Sequence, residues 1–222
     1  MHVPPLKHNN KTGFTLLEIM ISIFIFSIIV TTVFASYRSV FFSKDKIDAG
    51  LDLYGMAGSC LNRLSLDLSG IAIVQVPQYA KPELDSTPDP YRVVGDQSDL
   101  PGADFPRLRL TSRSHVPLDG SVHEGVSEII YYVLEDEESS YSLRRSDRLY
   151  PYETPEEQAN DPVLCESLKS LVLTYYDNEG ETHDTWDSES KDVGYATPKA
   201  INVRLEVGDE GAVSKVFETM VM

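Results

Sequence analysis

Basic residues are scarce in this chain: 19 lysines and arginines stand against 35 aspartates and glutamates, a formal charge of -16. Nucleic-acid recognition needs lysine and arginine at the phosphates, so that balance excludes such a partner, and it excludes adhesion to an anionic membrane surface. Signatures of catalysis are missing too. No Gly-x-Ser-x-Gly elbow occurs, and no glycine-rich phosphate loop follows a strand. His115, His123 and His183 are scattered, with no pair at helical spacing and no cysteine companions for zinc. We therefore assign no catalytic residue and no metal ligand, and expect a protein that is not an enzyme. Cysteine occurs only twice, at Cys60 and Cys165. Long apolar runs are equally rare, for there is just one.

That run extends from Phe14 to Phe34, and Glu18 is its only ionisable side chain. Its length matches the roughly 20 residues, at about 1.5 Å each, that a helix needs to cross the hydrocarbon of a bilayer. A carboxylate at that depth costs several kcal/mol, so Glu18 calls for a partner. Lys7 and Lys11 lie on the wrong side of Thr12 and Gly13 to serve. A cut between Gly13 and Phe14 would instead expose an α-amine four residues before Glu18, about one helical turn away. Two plainer readings stand beside this one. The first is a secretory signal ending at Val33-Phe34-Ala35, which the length of the run and the presence of Glu18 oppose. The second is a single-span anchor that is never cut.

Lys11-Thr12-Gly13-Phe14-Thr15-Leu16-Leu17-Glu18 followed by an unbroken apolar helix resembles the class III signal of type IV prepilins and type II secretion pseudopilins. The resemblance implies cleavage after Gly13 by a membrane prepilin peptidase, N-methylation of Phe14, and pairing of Glu18 with the N-terminus of a neighbouring subunit during filament assembly. Major pilins often carry a proline in the span. Here Ala35-Ser36 occupies that neighbourhood, which favours a minor or secretion-type member.

Lys7 and Lys11 precede the run without leader acids, so the positive-inside rule keeps the leader cytoplasmic and sends the rest across the inner membrane. Beyond the run, Ile47, Leu51, Tyr54, Ala57, Leu61, Leu64, Leu68 and Ile71 recur in threes and fours and predict one packed stripe on a helix lasting to about Ser69. Asp45, Asp48, Asp52, Asn62, Arg63 and Asp67 fall mostly on other faces. Strand signals follow: Ile71–Val76, a short piece at Tyr91–Val94, Arg107–Thr111, Ser127–Glu135 returning through Tyr141–Ser146, Leu164–Asp177 with a bulged or helical start, Ile201–Val207 and Val213–Met222. Asp177-Asn178-Glu179-Gly180 reads as a tight turn. Strands in succession after one helix predict an α+β fold, a long N-terminal helix packed on an antiparallel sheet. The expected division is a leader (1–13), a transmembrane half-helix (14–34), an amphipathic half-helix (35–70) and a periplasmic β domain (71–222).

The second half resembles the J-type minor pseudopilin of type II secretion, through Ile129-Ile130-Tyr131-Tyr132-Val133-Leu134-Glu135 leading to Leu143-Arg144-Arg145, through Leu171 to Asp177, and through Trp186 before Pro198-Lys199-Ala200-Ile201. That resemblance implies a place at or near the pseudopilus tip, where assembly starts and protein export is assisted. It implies as partners the other minor pseudopilins, the major pseudopilin, the prepilin peptidase, the inner-membrane assembly platform and the exported protein. A type IV pilus or competence minor pilin, and an uncut membrane-anchored binding domain, are the rival readings.

Cys60 and Cys165 make an even pair, a candidate disulfide tying helix to domain in an oxidising compartment; two separate buried thiols are the alternative. The acidic stretch Asp177, Glu179, Glu181, Asp184, Asp187, Glu189 and Asp192 could take calcium through oxygen ligands. Its spacing does not fit a twelve-residue calcium loop, and a charge run is ordinarily a solvated face, so we expect no cofactor.

Overall fold

A computed structural model of the chain describes residues 13, 15–72, 81, 83, 84, 87–98, 100, 104–116, 125–136, 140–149, 157, 158, 160–208 and 214–222. The leader with Lys7 and Lys11, Phe14, residues 73–76 of the first expected strand, His123 and Val213 lie outside them. The architecture is α+β, as the sequence predicts. By internal contacts the chain divides into two compact units, 1–51 and 52–222.

Helix α1 spans Leu16–Ser69. Its apolar first half, Leu16–Phe42, is 27 residues long and exposed throughout. Polar side chains there are satisfied within the helix. Ser22 donates to the Glu18 carbonyl at 2.7 Å, Ser27 to Ile23 at 2.9 Å, and Thr31 and Thr32 to Ile28 at 2.9 and 2.7 Å. Hydroxyls bonded this way add little cost in hydrocarbon, where unpaired polar groups are expensive.

α1 stops at Gly70 for a steric reason. A Cβ there would sit 2.7 Å from Ser112 Oγ and 3.2 Å from the Leu66 carbonyl oxygen. With no side chain in the way, the backbone turns into the sheet. Ala72 N–H donates to Thr111 O at 2.8 Å, Arg113 N–H donates to Gly70 O at 2.9 Å, and Ile71 bridges to Ser112.

The sheet is antiparallel. Its strands are β1 (Val94–Gln97), β2 (Pro106–Ser112), β3 (Ser127–Glu135), β4 (Tyr141–Leu149), β5 (Val163–Tyr176), β6 (Thr182–His183), β7 (Trp186–Asp187), β8 (Ala200–Val207) and β9 (Lys215–Val221), in the order β7-β1-β2-β3-β4-β5-β8-β9 with β6 on β5. β3 is apolar on both faces and holds a central place, as its composition predicts. β5 is long enough to serve two neighbours: its first half pairs with β4 and its second with β8. Its inward residues are Cys165, Leu168, Leu171, Leu173 and Tyr175. The spacing of three between the first of these marks bulges, and Ser167 adopts φ 53° at one of them.

The short strand expected at Tyr91–Val94 forms further on, at Val94–Gln97. Asp89 Oδ1 accepts the Tyr91 N–H at 2.8 Å and Asp89 O accepts the Arg92 N–H, so the chain is still turning at Tyr91. The sheet curls until β1 lies against the end of β5. A Cβ on Gly95 would be 1.9 Å from the Tyr175 hydroxyl oxygen, so only glycine admits that approach. Trp186 of β7 closes the same corner, 6.1 Å from the Tyr175 ring and donating from Nε1 to Ala196 O at 3.0 Å.

Ala57, Cys60, Leu64 and Leu68 of α1 enter the core with Leu108, Leu110, Tyr131, Val133, Leu143, Leu168, Val203 and Leu205 from the strands. The expected stripe is corrected at its start. Ile47, Leu51 and Tyr54 are exposed, and Leu53 and Met56 pack against the core in place of the latter two. A second correction concerns Asp67. It lies on the buried face, fully inaccessible, because the sheet supplies an arginine for it.

Candidate functional site

The start of α1 is built by a local rule. Thr15 and Glu18 form a capping box: Glu18 N–H donates to Thr15 Oγ1 at 3.3 Å, and Glu18 Oε2 accepts from Thr15 N at 3.3 Å and Thr15 Oγ1 at 3.4 Å. Two of the backbone donors that every helix start leaves open are thereby satisfied. The pattern Thr15-x-x-Glu18 is the sequence signal of such a box, which a reading centred on the depth of the carboxylate and its charge partner passes over.

The box does not neutralise Glu18. Thr15 offers neutral donors, and among the described residues no cation stands beside the carboxylate. The helix N-terminus supplies a partial positive charge, of the order of half an elementary charge. Gly13 is exposed, two residues before the cap, and so accessible as backbone. Phe14 lies outside the described residues.

The 52–222 unit holds a second constellation that sequence reasoning missed. Asp67 on α1 is gripped by Arg145 of β4, whose Nε reaches Oδ2 at 2.6 Å and whose Nη2 reaches Oδ1 at 3.3 Å. Arg63, one turn earlier, adds Nη2 to Oδ1 at 2.5 Å. The hydroxyls of Tyr131 and Ser114 donate to the same carboxylate. Arg145 also binds Asp147 at 2.6 Å, and Asp147 accepts from Val116 N–H at 3.0 Å and sits 2.8 Å from His115 Nδ1.

Titration in this group follows from burial and charge. For Asp147 burial works to raise the pKa, but the adjacent Arg145 guanidinium and the bonds from His115 and Val116 outweigh it and hold the carboxyl below its ordinary value. For Arg145 burial works downward, and Asp67 and Asp147 overcome it, so its charge is secure. Burial first, and Asp67 second, push the Tyr131 hydroxyl well up and keep it a neutral donor. A buried acid clamped between arginines and hydroxyls ties helix to sheet. The signal that could have revealed it is Arg145 at an inward position of a strand, which demands an acid opposite.

Cys60 and Cys165 are free thiols, both buried in the one core cluster. The acidic stretch is engaged locally. Asp177 accepts the N–H groups of Glu179 and Glu181 at 2.9 Å each and approaches His183 Nε2 at 3.2 Å; its carboxyl is lowered, by His183 first and by these backbone donors. Glu189 accepts from Asp89 N–H at 2.7 Å and pairs with Arg92. Among the described residues no three acids, histidines or cysteines are grouped to hold a metal ion.

Compared with known families, residues 35–219 match the family described as type II secretion system (T2SS), protein J. Residues 8–34 match the prokaryotic N-terminal methylation motif. No curated protein matches the chain.

Proposed function

From the premise that this chain belongs to the type II secretion system protein J family and is a minor pseudopilin, we propose how its N-terminal segment carries it from membrane to filament. The observation that carries the proposal is a wholly exposed 27-residue apolar helix whose single acid is capped but not charge-compensated. A prepilin peptidase cuts between Gly13 and Phe14 and methylates Phe14. The new ammonium group is the cation that Glu18 lacks.

Each part of the segment then has a physical task. Apolar faces of α1, from Leu16 onward, hold the subunit in the inner membrane and later pack against equivalent helices, giving affinity without direction. Glu18 meeting a neighbour's N-terminus supplies direction, because a charge pair in a low-dielectric surround is penalised steeply by a one-turn slip. The partners are the other minor pseudopilins, the major pseudopilin and the inner-membrane assembly platform, with the 52–222 unit on the periplasmic side at or near the tip. The role is structural: assembly is initiated and export of a secreted protein assisted, without chemistry on a substrate.

Glu18→Ala tests this reading. We expect the variant to insert and be cleaved as the parent is, and to lose incorporation into filaments. Normal incorporation would refute the role given to Glu18. In Gly13→Ala the precursor should keep its full mass, and a mature product starting at Phe14 would refute the cleavage assignment.

A further inference from the structure

The core of the 52–222 unit contains two nucleophilic groups that neither the clamp nor assembly employs. Cys60 lies on the inward face of α1, between Ala57 and Leu64, and Cys165 is the first inward residue of β5, paired with Leu143 of β4. Both are essentially inaccessible to solvent. Independent contacts place the helix turn carrying Cys60 directly over this part of β5. Met56, one turn before Cys60, accepts the Glu166 N–H on its sulfur at 3.4 Å. The bulges around Ser167 keep Cys165 and Leu168 facing inward, toward α1. The two side chains belong to the same buried cluster, and Cys165 is the first cause that pushes the Cys60 thiol up.

We infer that Cys60 and Cys165 are joined by a disulfide in the mature protein, stapling α1 to β5 midway along the helix's packed stretch, between Leu53 and Leu68. This rests on the reading that the 52–222 unit lies outside the cytoplasm, where protein disulfides form and persist. In the reaction each thiol loses a proton, the pair gives up two electrons, and one S–S bond forms. A disulfide-bearing oxidant, a thiol–disulfide oxidoreductase or glutathione disulfide, accepts the electrons and is cleaved to two thiols. The bond closes a loop of about 100 residues, a length at which restriction of the unfolded chain is large.

Position also sets when the bond forms. Both thiols are closed off from solvent in the folded protein, and Cys165 first, then burial, push the Cys60 thiol up, so the folded chain offers little to an oxidant. Oxidation therefore belongs to the folding chain, before α1 seats. Once made, the bond is shielded from reductants. The same shielding makes alkylation of the native protein uninformative.

The test uses the full chain in detergent. It is reduced and unfolded, refolded in a glutathione buffer with excess glutathione disulfide, acid-quenched, denatured and alkylated, and its intact mass measured. We expect a product two hydrogens lighter than the reduced chain, with no alkyl group and no glutathione attached. Cys165→Ser treated alike should carry one adduct, and adding reductant to the wild type should lower its urea midpoint. Two alkylated or two glutathionylated cysteines in folded protein would overturn the pairing. Acid-trapping of producing cells separates the premise: thiols that pair in the buffer but stay free in cells overturn the placement outside the cytoplasm.

Discussion

Asp67→Ala should be the most damaging single change in the 52–222 unit that touches no core hydrophobe. The carboxylate is fully inaccessible, and its removal strips Arg145 of two contacts, at 2.6 and 3.3 Å, and leaves the Tyr131 hydroxyl without its acceptor. Breaking a buried pair by deleting one member costs about 3–5 kcal/mol, because the surviving charge stays buried. Arg145 retains Asp147 at 2.6 Å and Arg63 is partly exposed, so the loss belongs at the lower end, about 3 kcal/mol. For a chain of this size that corresponds to a melting point lower by roughly 6–12 °C. The assay is thermal unfolding of the detergent-solubilised full chain, followed by near-ultraviolet circular dichroism. A double-mutant cycle isolates the cause. Asp67→Leu and Arg145→Met should each destabilise strongly, and the double variant should recover about 2–3 kcal/mol of their sum, since neither charge is then stranded. Strict additivity, or an Asp67→Ala protein melting within about 2 °C of the parent, would refute the clamp.

Further expectations follow from the same geometry. Gly95→Ala sets a Cβ 1.9 Å from Tyr175 Oη and 2.2 Å from Cζ, so β1 must withdraw from β5, at a cost of about 1–3 kcal/mol or more; urea titration measures it. Tyr175→Phe leaves the Cζ contact, so it should not rescue Gly95→Ala. Alone it should be close to neutral, because the buried Tyr175 hydroxyl has no hydrogen-bond partner among the described residues to lose. The Asp147 carboxyl titrates lower in the folded chain than its unfolded value of about 3.9, so its contribution is complete above that pH and is lost as the pH falls through the folded pKa. Asp147→Asn should therefore lower the urea midpoint at pH 7 and flatten its decline below about pH 4. An Asp147→Asn variant with the parent's acid profile would count against that assignment.

Legibility varied with the range of the interactions involved. The apolar run with Glu18, the strand at Ser127–Glu135, the alternation of Ala200–Val207 and the turn at Asp177–Gly180 could all be read, because each depends on a local period or on backbone preference. Periodicity on the helix continued to suggest a stripe through Ile47, Leu51 and Tyr54, but all three are exposed, Tyr54 meeting the Phe217 ring edge-on with Lys215 over its face. The pattern of an amphipathic face survives beyond the place where the face is used. β1 and β7 were hard to foresee for another reason. Their short pairings join Val94 and Gly95 to Trp186 and Asp187, far apart in the chain, and rest on a single glycine that lets Tyr175 approach.

By itself the sequence determined the class of the protein, since a membrane-length apolar run, a Gly-Phe junction and a lone acid are encoded within one short continuous stretch. Only the tertiary structure decided that Asp67 is buried rather than solvated, and that Cys60 and Cys165 are neighbours. The physical reason is common to both. A charge or a thiol acquires its character from groups brought beside it by sheet register and helix seating, and those contacts span the whole domain.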